Sequence, residues 1–251
     1  MNRTHPQTSG VPGPRDPYLT PYIVEPGRMI ASGRYKRVVL VFGAQTGKTE
    51  LLLDLAGQRL DQRPAPILYV GPNKQFLSEQ FEPRVMQLLD GAPTLMEKVA
   101  RGKRMTKTRK IVGGVPFRLA HSGSSTALKS DPAVLALIDE YDEMRENVNE
   151  QGGPLGLVET RGDTYADFVC VVTSTPSRGR VAAVREQVSG LEFWEHAVVE
   201  DVESPIWNLW QQGTRHHWCW PCPQCGKYFV PRSTLLRYPL KATPFEAAKE
   251  T

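Results

Sequence analysis

Short apolar runs bounded by turn-forming residues recur along the chain, and the stretches between them carry a helical period. Arg37–Phe42 (RVVLVF), Pro66–Val70 (PILYV), Val134–Ile138 (VLALI) and Phe168–Val172 (FVCVV) are apolar almost throughout. Strands buried on both faces read this way, whereas a half-exposed strand alternates with period two. Ile111–Leu119 (IVGGVPFRL) reads as a hairpin turning at Gly113–Gly114. Glu50–Leu60 places Leu51, Leu52, Leu55 and Leu60 near one helical face, and Gln75–Leu89 and Arg180–Val188 read as helices. Glu192–Val199 reads as a further strand. Strands alternating with helices imply a parallel sheet with helices on both faces.

The pattern fades at both ends. Residues 1–30 carry Pro6, Pro12, Pro14, Pro17, Pro21 and Pro26 with no helical period, and read as a flexible lead-in. From about Asp201 the alternation stops and Trp, His, Cys and Pro take over, which marks 201–251 as a linker and small module. The domain proper is then 31–200. At 251 residues the chain can bury one good core plus an appendage. A net charge of +4 permits a nucleic-acid partner without demanding one. No apolar run is long enough to span a bilayer, and Met1–Pro17 lacks the apolar core of a secretory signal. The four cysteines are too few for a disulfide scaffold, and three crowd near the C-terminus, which suggests metal binding in a reducing compartment. A cytoplasmic location is expected.

Candidate chemistry gathers where strands end. The first strand runs into Gly43-Ala44-Gln45-Thr46-Gly47-Lys48-Thr49 and then a helix. Bare backbone N–H groups at the positive end of a helix dipole form an anion nest. Ala44 to Gly47 would supply them, Lys48 would reach the outer phosphates of ATP, and the Thr49 hydroxyl could ligate Mg2+. The loop departs from G-x-x-x-x-G-K-[ST], because Phe42 stands where the first glycine is usual. The strand Val134–Ile138 delivers Asp139 and Glu140 to its carboxyl end, where open α/β sheets bind ligands. Asp139 would hold Mg2+ and Glu140 would polarise water. Asp142, Glu143 and Glu146 beyond them read as a solvated helix start. These features together imply an α/β fold of the P-loop NTPase (RecA-like) type.

Phe168–Val172 ends in Thr173-Ser174-Thr175-Pro176, which is either an exit turn or a sensor of the γ-phosphate. Arg101, Lys103, Arg104, Lys107, Arg109 and Lys110 either contact DNA phosphates or form a solvated charged loop. His121–Asp131 (HSGSSTALKSD) reads as a polar loop of small residues. Cys222 and Cys225 lie in C-P-x-C-G, half of a zinc knuckle. Four ligands are needed, and either Cys219 with His216 or His217 completes the site or a second pair lies beyond residue 251. Phe245–Thr251 reads as a helix that starts without an end, so the chain is expected to be a fragment. Cys170 reads as a buried hydrophobe.

The wording of these blocks resembles the large terminase subunits of tailed phages, of the lambda-type GpA family. The resemblance spans Pro21 to Tyr228. It runs through TPY at Thr20–Tyr22, GAQTGKTE at Gly43–Glu50, SSTALKSDP at Ser124–Pro132, LALIDEYDEM at Leu135–Met144, TSTPS at Thr173–Ser177 and CPQCG at Cys222–Gly226. It implies an ATPase that pumps double-stranded DNA into a procapsid in the host cytoplasm, as a homo-oligomer, with the small subunit and the portal protein as partners. It implies coupling roles for Ser174 and Thr175 and adenine stacking by Tyr22. No later acidic cluster could hold two metals, so nuclease activity is not expected from this chain. A helicase-like DNA-dependent ATPase is the first alternative, but it needs a second RecA-like lobe for which no room follows residue 200. The other alternative is a zinc-stabilised DNA-binding protein with a relic nucleotide site, which the intact Lys48, Asp139 and Glu140 disfavour.

Overall fold

The computed structural model describes residues 2–100, 105–148 and 150–232, with 235, 239, 241–243 and 246 beyond them. Its centre is a six-stranded sheet of β1 (Arg37–Val41), β2 (Ile67–Gly71), β3 (Arg109–Val112), β4 (Val115–His121), β5 (Leu135–Ile138) and β6 (Val169–Ser174). The spatial order is β1-β6-β5-β2-β4-β3, parallel except for the β3–β4 hairpin at the edge. That hairpin turns at Gly113 (φ 61°) and Gly114 (φ 80°). Two successive left-handed residues are what a two-residue turn of matching twist requires.

Every central strand has two apolar faces because each face has its own core. Ile67, Tyr69, Leu135, Leu137, Val169 and Val171 point into one, and Leu68, Val70, Ala136, Ile138, Cys170 and Val172 into the other. Helix α1 (Val24–Ala31), α2 (Lys48–Gln62) and α3 (Glu82–Asp90) cover the first face through Ile30, Leu52, Leu55, Val85 and Leu88. The shorter α4 (Ser125–Lys129), α5 (Pro154–Glu159) and α6 (Pro205–Gln211) cover the second through Leu128, Val158 and Ile206. The helix expected over Gln75–Leu89 is present but not uniform. It passes through a π-helical turn at Leu77–Phe81 just before Pro83, which has no N–H to continue an α-helical ladder.

Four expectations need correction. Arg180–Val188 is not a helix: Ala183–Arg185 pairs antiparallel with Glu192–Trp194 in a separate two-stranded hairpin, so neither segment joins the main sheet. Ala183, Val184 and Arg185 are all exposed, so a helix there would have had no apolar face to bury. The lead-in carries α1, and the buried Arg3 bonds Asp54 at 2.9 Å and Glu50 at 2.8 Å on α2. Arg15 adds a bond to Asp54 at 3.0 Å. The domain does not stop at residue 200, since α6 packs Ile206 against the sheet. The polar segment 121–131 contains α4, capped by Ser124, whose hydroxyl accepts from Ala127 N. Part of the basic segment and most of Phe245–Thr251 lie outside the described residues.

Candidate active site

The sheet order gathers the strand ends that matter. With β6 between β1 and β5, the glycine loop after β1, the hydroxyl residues after β6 and the acids after β5 become neighbours. Phe42, in place of the usual glycine, extends the β1 pairing: its N–H donates to Ser174 O at 3.2 Å. The turn then tightens through two left-handed residues, Gln45 (φ 55°) and Gly47 (φ 86°). Left-handed residues in a short loop turn successive N–H groups to one side. Gly47 is also the N-cap of α2, and an L side chain there would be strained. Ala44 and Gln45 are exposed at the crest, and the Thr46 hydroxyl braces the loop by donating to Gly43 O at 2.7 Å.

Lys48 is 7% exposed and sits at the hub of the cluster. Its Nζ donates to Thr175 Oγ1 at 2.8 Å and Gly43 O at 3.4 Å, and lies 3.4 Å from Glu140 Oε1. Thr49 Oγ1 donates to Asp139 Oδ2 at 3.0 Å, and the Tyr69 hydroxyl donates to the same oxygen at 3.0 Å. Asp139 is fully buried, and its carboxyl is pushed up to about 6, first by desolvation and then by the Glu140 charge. Thr49, Tyr69 and Lys48 work against that rise without cancelling it. Glu140 is left-handed at φ 54°, ψ 51°, a conformation that non-glycine residues hold only when the surroundings impose it.

Two of the expected residues part company. Thr175 faces Lys48, but Ser174 faces the other way, its hydroxyl accepting from Asp142 N at 3.0 Å. Successive strand residues point to opposite faces, so only one of the pair can look at the loop. Tyr22 does reach the loop: its hydroxyl donates to Thr46 O at 2.9 Å, with its ring edge-on to Phe42 at 5.9 Å and to Trp218 at 6.2 Å. Lys110, counted with the basic segment, is buried and bonds Glu82 at 2.5 Å.

Sequence pattern passed over Tyr69, which sits in an apolar strand beside the acidic one. Its signal was the phenol itself, because a buried tyrosine hydroxyl finds a polar partner. Asp142 is likewise buried at 3% exposure, not part of a solvated helix start.

The cysteine segment pairs Trp220–Pro221 with Tyr228–Phe229, and Cys222 and Cys225 lie in the turn between. Cys222 is held below the ordinary thiol range by hydrogen bonds from the backbone of Cys225 and Gln224 and from the Cys225 side chain, which favours a thiolate. The residues that could complete a local zinc site are engaged elsewhere. His217 Nε2 accepts from Trp194 N at 3.2 Å, and His216 Nδ1 lies 2.6 Å from Thr214 Oγ1. Among the described residues no group of three or more His, Cys, Asp or Glu converges as a metal site, so Cys219 does not join the other two.

A mostly parallel sheet with a loop, a lysine and paired acids at its carboxyl edge is an α/β ligand-binding domain. A family model for the phage terminase large subunit gpA, ATPase domain, matches residues 9–250, and the chain belongs to that family. Among solved structures it is similar to the HK97 bacteriophage large terminase, at 17% identity and a TM-score of 0.52 over 68% of this chain and 35% of that one. The chain thus spans about a third of the length of that protein. Weaker likenesses are to the Thermus phage P74-26 large terminase ATPase domain (17% identity, TM-score 0.43, 61% of this chain and 65% of that one) and to the Phi-28 gp11 DNA packaging motor (11% identity, TM-score 0.39, 61% and 50%). No curated protein matches the chain. No helix among the described residues is long and apolar enough to cross a membrane.

Proposed function

We propose that this chain hydrolyses ATP and that hydrolysis drives double-stranded DNA into a procapsid. The observation that carries the reading is the convergence of Lys48, Thr49, Asp139, Glu140 and Thr175, from three strand ends, each within 3.4 Å of the next in a chain of contacts. The loop N–H groups and Lys48 bind the phosphates, and Tyr22 borders the adenine end. The Thr49 hydroxyl and the Asp139 carboxylate, oxygen donors 3.0 Å apart, suit a hard divalent cation such as Mg2+. An ion held by these two groups would supply neutralisation of charge on the transferring phosphoryl group.

Lys48 has two occupations. Its Nζ contacts Glu140 and Thr175. Incoming phosphates compete for it and release Glu140 to orient and deprotonate the attacking water. Thr175, no longer held by Lys48, is then placed to contact the γ-phosphate and report its loss. By family membership, the portal protein, the small subunit and further copies of this chain are the partners through which turnover becomes movement. The Cys222–Cys225 turn supplies half of a zinc site.

The test is Glu140→Gln. This variant should bind ATP with parental affinity and fail to turn it over, measured as nucleotide binding and phosphate release on the same preparation. Equal hydrolysis by variant and parent would sink the assignment.

A further inference from the structure

Asp142 lies two residues past Glu140, in the single helical turn Tyr141–Glu143. A carboxylate as buried as this one is tolerated only with full hydrogen bonding, and Asp142 has it. Oδ1 accepts from Ile206 N at 2.7 Å, and Oδ2 from Ser204 Oγ at 2.7 Å and Ser177 N at 2.9 Å. Its backbone N–H donates to Ser174 Oγ at 3.0 Å, and its carbonyl accepts from Arg178 at 3.2 Å. One residue therefore ties the turn after the catalytic acid to the exit of β6 and to the first turn of α6. All the groups on its carboxylate are donors, with a backbone N–H on each oxygen, so aspartate fits and asparagine in either orientation would set its N–H against the N–H of Ser177 or Ile206.

We infer that Asp142 is a positioning residue that transmits the state of the nucleotide site to α6 and to the tryptophans on it. The inference rests on the ATPase reading above. Glu140 begins the turn in a left-handed conformation and its carboxylate lies 3.4 Å from Lys48 Nζ, so the turn has a reason to move when phosphates take the lysine. Short hydrogen bonds to a buried charge do not stretch freely, so Ser177 and the start of α6 move with Asp142. Helix α6 carries Trp207 stacked on Trp210 at 4.8 Å, with Trp194 edge-on to Trp207 at 5.7 Å. Motion at the nucleotide site thereby reaches the segment that continues toward the cysteine turn.

The five tryptophans, at 194, 207, 210, 218 and 220, all lie in this region, so intrinsic fluorescence reports on it. Trp218 touches Tyr22 beside the loop and would respond directly, so the parent for the test is the Trp218→Phe, Trp220→Phe protein. ATP with Mg2+ should change its emission. Asp142→Asn should lower both kcat and the emission change by about tenfold, with KM for ATP unchanged, as expected for losing bonds to a charged group that act after binding. Ser204→Ala removes one donor and leaves the others, so it should fall between. It also decides the case if Asp142→Asn does not fold. Parental kcat and emission change in both variants overturn the inference. So does a variant that loses only thermal stability, or that loses binding and turnover alike. A parent that does not hydrolyse ATP sinks the ATPase reading, whereas a parent that hydrolyses without an emission change sinks only the link to α6.

Discussion

Asp139→Asn should be more stable than the parent at neutral pH when Mg2+ and nucleotide are absent. Burial and the Glu140 charge raise the Asp139 carboxyl from 3.8 to about 6. Between those values the native protein holds a proton that the unfolded chain has released. Native stability is therefore full below pH 3.8, declines as pH rises, and has lost the whole contribution once pH passes 6. At about 1.4 kcal/mol per pH unit, the loss is about 3 kcal/mol. Asparagine never ionises and so avoids it. Its carbonyl can keep the bond from Glu140 N, which is 3.1 Å in the parent, and the Thr49 and Tyr69 hydroxyls can turn to accept from its amide. The assay is thermal unfolding of both proteins in chelator from about pH 4 to about pH 8. The variant's advantage should grow by about 6 °C up to about pH 6 and then stay level, at about 2 °C per kcal/mol for a chain of this size. Subtracting the two curves cancels the groups that Asp139 does not touch. Added Mg2+ should raise the melting point of the parent and not of the variant, while the variant fails to hydrolyse ATP. A difference that is constant across the pH range would refute the claim that the buried carboxylate is ionised at a cost.

Lys48→Ala should abolish ATP binding by titration calorimetry, because the exposed loop carries no other cation placed among the phosphate-binding groups. Tyr69→Phe removes a hydrogen bond that holds the Asp139 carboxyl down, so the acid limb of the ATPase pH profile should move to higher pH and the Mg2+ requirement should rise. An unmoved acid limb would show that Asp139 does not set it. Arg3→Ala should cost about 2 kcal/mol in urea unfolding, the usual worth of hydrogen bonds to charged partners, and leave KM for ATP alone. DNA binding should be weak, indifferent to sequence and strongly reduced by salt; affinity that does not change with salt would rule out phosphate contacts. Zinc should bind below one ion per chain and be stripped by a mild chelator, as two thiolates allow.

The sheet was legible because its strands are apolar on both faces, and a continuous apolar run carries that fact locally. The hairpin was legible because Gly113 and Gly114 adopt a backbone that favours glycine. Where the sequence misled, the deciding contacts were distant or absent. Ala183–Arg185 has no buried face at all, so the apparent helical period over 180–188 had nothing to act on. Helix α1 was hidden by Pro26 and Gly27, yet proline is tolerated in a first turn. A Cβ on Gly27 would lie 3.5 Å from Leu51 on α2, so α1 sits close against α2 at this point. The lead-in is anchored by Arg3, whose acidic partners are 47 and 51 residues away.

The candidate site divides along the same line. In an open parallel sheet every strand delivers its carboxyl end to one edge, so residues that follow apolar runs meet whatever their separation in sequence. Lys48 and Thr175 are 127 residues apart and still converge, and both were readable as strand-end residues. Asp142 follows no strand directly. Its partners are 32 to 64 residues away and include the first turn of a helix outside the expected domain boundary. Nothing in DEYDEMRE separates it from Glu143 and Glu146, which stay exposed. The difference arises only when the turn folds back under β6 and meets the Ser174 hydroxyl. Topology therefore predicts the residues that meet at the candidate site. The residue proposed to carry their state onward depends on packing between elements, which the linear pattern does not encode.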